Sequence, residues 1–197
     1  MKERPILFSG PMVRAIQEGR KTQTRRVIKP QAWSYSNDIL GQQQIYACSG
    51  PDDFGDPDKP IRCPYGQPRD LLWVKETFIQ AEEPDEDGNY IVWYKSDYLN
   101  DETFGPCKSA RYMPKKYARL WLRITNVRVE RVQEITEEDA KLEGIEVEWR
   151  QATHPKKTYC AGMQSIWDSL NAKRGYSWES NPWVWVLEFG SMKEEVL

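Results

Sequence analysis

The chain has 197 residues, a net charge of −2 and 29% charged residues of both signs, with an isoelectric point near 5.7. That length supports a hydrophobic core in one domain with insertions or two small ones, and that charge excludes a protein gripping nucleic acid by bulk positive charge. No apolar run approaches the roughly 18–20 residues that span a bilayer, and the start Met1-Lys2-Glu3-Arg4-Pro5 lacks the apolar centre of a signal peptide, so a cytoplasmic protein without a membrane partner is expected.

In chain order, Pro5 to Phe8 is a short apolar run that reads as a first strand. Ser9-Gly10-Pro11 opens a helix, because proline suits the first helical turn. Met12, Val13 and Ile16 fall on one helical face and Gly19 stops it. Thr22 to Ile28 can extend as a strand until Pro30. Residues 31–69 show little regular pattern, and the Asp, Gly and Pro cluster between Asp52 and Pro60 reads as a loop. Leu71 to Lys75 is a clear strand, residues 82–89 an acidic turn, Tyr90 to Tyr94 strand-like, and residues 96–117 an irregular excursion.

Ala118 to Val132 is the longest alternating stretch. Leu120, Leu122 and Ile124 share one phase and Val127 and Val129 the other, so a bulge or a strand break is expected near Asn126. Thr136-Glu137-Glu138-Asp139 opens a short helix with a capping-box pattern, closed by Gly144. Gly162 to Lys173 has helical spacing up to Gly175, and Trp183 to Phe189 alternates as a last strand. Six or seven strands and three short helices give an α+β fold, read as a small barrel or strongly curved sheet. Glycine-rich phosphate loops are missing.

The four cysteines, at 48, 63, 107 and 160, form no Cys-x-x-Cys pair, and the single histidine, His154, lies near Cys160 alone. Reduced thiols and no metal are expected. Nine tryptophans and ten tyrosines are read mainly as core, with some available to stack on a planar ligand.

Chemistry concentrates in Gly19-Arg20-Lys21-Thr22-Gln23-Thr24-Arg25-Arg26, which packs four cations and two threonine hydroxyls into eight residues. A threonine hydroxyl becomes a nucleophile only when a base takes its proton, and a lysine does so only when neutral. Bringing Lys21 from about 10.4 to about 7 requires roughly 4–5 kcal/mol of bias, which burial and the neighbouring arginines can supply. Strand alternation sets Lys21 opposite Thr24 unless Lys21 lies in the turn after the helix. Two plainer readings compete: cations protecting an edge strand, and a patch holding phosphate. Glu143, the last residue before Gly144, faces the negative end of a helix dipole, which favours its protonated form and suits an acid or base. Glu76 is a weaker candidate for that role or for holding a base edge. Trp73, Trp183 and Trp185 are core or pocket lining.

Gly19-x-Lys21-x-x-Thr24-x-Arg26 resembles the signature of the ASCH domain, a branch of the PUA-like superfamily, in which glutamate commonly stands where Thr24 stands. Small bacterial ASCH enzymes that hydrolyse N4-acetylcytidine have lysine and threonine at this spacing, with a glutamate in a later short helix; the helix Ile135 to Glu143 matches it through Glu143. Asp70-x-Leu72-x-Val74 and Trp183 to Phe189 resemble family strands. The Gly-Arg-Lys-Thr-x-Thr-Arg-Arg run, the Glu-Glu-Asp-Ala helix and the Asn-Pro-Trp-Val-Trp-Val ending are similar to longer, prophage-borne members. The resemblance implies a PUA-like β-barrel in a single domain over 1–197 with insertions at 31–62 and 80–117. It implies Lys21, Thr24 and Glu143 as catalytic residues, with Arg25, Arg26, Trp73, Lys75, Glu76 and Trp183 contacting a modified nucleoside or RNA, and no cofactor. An RNA-binding module without turnover and a ribonuclease are its alternatives, and no protein partner is inferable.

Overall fold

The computed structural model describes residues 1–37, 43–47, 61–98, 105–146 and 158–192, with backbone alone at 32–37 and 43–47. In chain order the strands are β1 (Glu3–Leu7), β2 (Gln23–Val27), β3 (Ala32–Asn37), β4 (Gln43–Ala47), β5 (Leu71–Lys75), β6 (Phe78–Gln80), β7 (Val92–Tyr94), β8 (Trp121–Arg131) and β9 (Trp183–Met192). The helices are α1 (Gly10–Gln17), α2 (Glu137–Leu142) and α3 (Tyr159–Asn171). Five strands form one mixed sheet in the order β1-β5-β8-β9-β2, in which only β1 and β5 run parallel. β3–β4 and β6–β7 are separate antiparallel pairs.

The α+β composition matches the sequence, with nine strands among the described residues instead of six or seven. The hairpin β3–β4 falls in the stretch that reads as patternless, and β6 is only three residues long. The strand ladder does not close into a barrel among the described residues: β1 and β2 are its two ends. A side chain crosses that gap instead, where Arg26 NH2 donates to the Leu7 carbonyl at 2.7 Å. The loop around Asp52, Cys48 and His154 lie outside the described residues.

β8 and β9 form the spine. Their register shifts between Ile124 and Asn126, where the apolar phase of the sequence switches, so the bulge keeps Leu122 and Ile124 on one packed face and Val129 on another. Leu122, Ile124, Leu187 and Phe189 pack with Ile6, Phe8, Val13 and Ile16, closing α1 over one side of the sheet. Val184 and Val186 pack with Val132, just past β8, and with Ala140, Met163 and Trp167 from α2 and α3. Thr136 accepts the Asp139 N–H at 3.1 Å and so starts α2 as its sequence requires. No described helix is long and apolar enough to cross a membrane.

The segment between β5 and β8 is tied down by one polar clamp. Glu76, 1% exposed, takes Arg119 through two oxygens, each at 2.9 Å, and the Ser96 hydroxyl at 2.6 Å. The Arg119 guanidinium also pairs with Asp97 and lies 3.9 Å from the Tyr94 ring centre. The buried Glu76 carboxylate is thus occupied by a paired, half-buried guanidinium. Removing one partner of such a pair strands a buried charge, at about 3–5 kcal/mol. Arg119→Met should therefore lower the unfolding free energy by about that amount in urea titrations; a loss below about 1 kcal/mol would show the clamp to be energetically idle.

Candidate active site

β2 lies at the sheet end, paired to β9 through Thr24↔Leu187 and Arg25↔Val186. Its approach is set by α1 and Gly19, which adopts φ +75° and turns the chain back. Lys21 N then donates to the Ala15 carbonyl at 3.0 Å, and Thr22 N to the Leu142 carbonyl at 2.9 Å. Lys21 and Glu143 form an isolated antiparallel bridge. The start of β2 and the end of α2 are therefore joined backbone to backbone. Gly144, at φ +78°, permits that closeness: a β-carbon there would lie 2.9 Å from both the Ala15 and Lys21 β-carbons.

Lys21, in the turn before β2, folds its amine back along the strand. Nζ donates to the Gln23 carbonyl at 2.7 Å, the Glu143 carbonyl at 2.9 Å and Glu143 Oε2 at 2.8 Å. The Phe8 ring centre is 5.5 Å from this amine and 5.1 Å from the Arg26 guanidinium carbon. Lys21, Thr24 and Arg25 are each 3% exposed and Glu143 4%. This decides against a solvated run protecting an edge strand, because only Arg20 of these cations points outward, to Glu18 and Glu146.

Burial is the largest influence on Lys21 and disfavours its ammonium; the Glu143 charge and hydrogen bond oppose this, and Arg26 and Arg25 add to it. The net direction is downward from 10.5.

Arg25 is held with its guanidinium among four acceptors. NH1 donates to Gln23 Oε1 at 2.7 Å and Glu143 Oε1 at 3.3 Å, and NH2 to Glu130 Oε2 at 2.9 Å and Asp139 Oδ2 at 3.2 Å. Gln23, 1% exposed, also donates to Asp139 Oδ1 at 3.0 Å. Arg128 completes the cluster through Glu130, Glu188 and Asp139. Burial works against an ionised Asp139, but Gln23, Arg25 and Arg128 outweigh it and hold its carboxyl below the usual range. Beside this network a cavity of about 160 Å³ is lined by Thr22, Gln23, Thr125, Leu142, Glu188 and Phe189.

Of the residues singled out from sequence, Lys21, Thr24, Arg25, Arg26 and Glu143 gather around the start of β2. Trp185 stands opposite Arg26 in the β2–β9 ladder, and the others take up positions elsewhere in the fold. Trp73 is a half-buried residue of β5 beneath the Lys75 amine, which donates to the Arg111 carbonyl. Glu76 belongs to the clamp on Arg119. Trp183, 7% exposed, starts β9 and carries the Arg131 guanidinium 4.1 Å from its ring centre. Trp185 lies in the core with Ile28 and Val129. Sequence reading passed over Gln23, Glu130 and Asp139. Its available signal was the polar phase Gln23–Arg25, two residues that share one side of β2.

Cys63, Cys107 and Cys160 are free thiols, and burial pushes the Cys63 thiol up to about 11. Among the described residues, no three His, Cys, Asp or Glu side chains group so as to hold a metal ion.

No family model matches the sequence, and no curated protein matches it. Among solved structures, the crystal structure of an ASCH domain from Lactobacillus crispatus JV V101 is similar at a TM-score of 0.44 and 11% identity, over 96% of this chain and 79% of that one.

The lowered Lys21 value has a thermodynamic consequence. Between that value and 10.5 the unfolded chain holds a proton that the native state has released. Lys21 therefore makes the fold more stable as pH rises across this window. Lys21→Met should flatten the rise of unfolding free energy with pH measured on the alkaline side up to 10.5. An unchanged slope would mean that native and unfolded Lys21 titrate alike.

Proposed function

We propose that the chain is an ASCH-type, PUA-like hydrolase that removes the acetyl group from the exocyclic nitrogen of an N4-acetylcytidine-like nucleoside. In this reading residues 1–197 form one domain with insertions at 31–62 and 80–117, and the curled sheet is the PUA-like barrel left unsealed between Arg26 and Leu7. The observation that carries the proposal is the Lys21–Glu143 contact: an amine shut away from water, 2.8 Å from a carboxylate, with its charged form disfavoured. An equally buried threonine follows three residues later.

A neutral amine has two N–H groups for the three acceptors that surround Nζ. One contact must therefore open when Lys21 loses its proton, and the freed lone pair becomes the base. Lys21 takes the Thr24 hydroxyl proton as Oγ1 attacks the acetyl carbonyl. Arg26, on the Phe8 side, steadies the negative oxygen that forms. Glu143, bonded to Nζ, passes the proton to the exocyclic nitrogen as the C–N bond breaks, and the nucleoside leaves. Water directed by Glu143 then attacks the threonyl ester, acetate departs and Thr24 recovers its proton.

The alternative of a phosphate-holding patch receives less support. Lys21 and Arg25 are buried and engaged by carboxylates and carbonyls, so they are not presented to a polyanion.

Chromatography of N4-acetylcytidine incubated with purified protein should show cytidine and acetate. Thr24→Val, nearly isosteric, should reduce kcat/KM by about 10³-fold or more through loss of the nucleophile. Substrate left intact at high enzyme concentration, or a Thr24→Val variant as active as the parent, would overturn the proposal.

A further inference from the structure

We infer that Arg25 is a positioning residue: by holding the second oxygen of Glu143, it keeps that carboxylate compensated when Lys21 gives up its proton, and so lets Lys21 serve as the base. This rests on the Lys21, Thr24 and Glu143 reading above.

The placement is unusual for a strand. Arg25 has a fully buried side chain at the centre of β2, a position that ordinarily carries an apolar residue. Its Nε is buried without a partner, a cost retained alongside the other contacts. Its remaining nitrogens reach Gln23, Glu143, Glu130 and Asp139. One rigid fork thus spans carboxylates from β8, from within α2 and from the end of α2.

The two cations at Glu143 divide its oxygens. Lys21 holds Oε2 and Arg25 holds Oε1. A guanidinium does not deprotonate in a protein, whereas a buried ammonium can. With Arg25 in place, loss of the Lys21 proton leaves Glu143 still paired with a cation. Without it, that loss would abandon a buried carboxylate, and the pair would stay locked as ammonium and carboxylate.

The charges facing Lys21 from each packed element fit this division. Glu143 comes from the end of α2, and Arg25 and Arg26 come from β2. Beyond them stand Asp139 on α2, Glu130 and Arg128 on β8 and Glu188 on β9. α1 presents the Ala15 carbonyl to the Lys21 N–H. Glu130 and Asp139 secure the guanidinium from behind, so Glu143 is not its sole counter-ion.

The test uses full-length protein labelled with ¹³C and ¹⁵N at lysine. The Lys21 side-chain signal, assigned by its loss in Lys21→Met, is followed against pH. Arg25→Gln should raise the Lys21 midpoint by about one unit or more, a tenfold change in proton affinity, and move the acid limb of kcat/KM upward with it. A midpoint unchanged or lowered in Arg25→Gln overturns the inference. Should Arg25→Gln not fold, Arg25→Met decides: it also removes the charge from Glu143, so a raised midpoint supports the inference and an unmoved or lowered one overturns it. Failure of the parent protein to cleave N4-acetylcytidine would sink the hydrolase reading, while the NMR titration would still judge Arg25.

Discussion

The arrangement around β2 depends on one buried contact between residues 122 positions apart, Lys21 Nζ on the Glu143 carboxylate. A lone charge in that place would be prohibitively expensive, and two opposite charges compensate only when their other hydrogen-bonding positions are filled. Here they are filled. Two carbonyls take the remaining amine donors, and an arginine takes the other carboxylate oxygen. The backbone bridge between the same two residues means that the pair is set by main-chain geometry as well as by side-chain attraction. The fold brings it about by simple means: a left-handed glycine after α1, a second after α2, and two chain segments that meet where both glycines turn.

Much of this architecture is written locally. Leu71 to Lys75 is legible because an apolar run follows Gly66, Pro68 and Asp70, and the observed strand has those limits. The phase change around Asn126 shows in the alternation because each residue must choose a face, and the register shift falls there. Thr136 announces α2 because a hydroxyl can satisfy an N–H that the helix leaves open. α3 begins three residues before Gly162, at Tyr159, with Thr158 as its cap, a start that the apolar spacing alone does not mark. β3 and β4 are illegible for a different reason: they pair with each other, and Gln43-Gln44-Ile45-Tyr46-Ala47 lacks the alternation of a half-buried strand.

The site divides the same way. Lys21 and Glu143 attract attention separately, one as a cation beside hydroxyls and the other as a carboxylate ending a helix, but nothing local says that they touch. Arg25 is harder still, because its meaning lies in Glu130 and Asp139, more than one hundred residues along the chain. Glu76 shows the converse. A glutamate closing a strand suggests ligand binding until Arg119, 43 residues along the chain, is found lying across it. Ionic partners without a shared element leave no periodic trace, so polar cores are less readable than apolar ones.

The outer rim of β2 would ordinarily invite a stranger's backbone to dock alongside it. The entry to that rim is occupied, because Thr22 N, just before the strand, is bonded to Leu142, Lys21 is bridged to Glu143 and the Lys21 amine takes the Gln23 carbonyl. The opposite rim belongs to β1, where Pro5 interrupts the row of donors at mid-strand. Fibrillar stacking through the main sheet is thus obstructed at both ends, on one side by the same chain crossing that buries Lys21 beside Glu143.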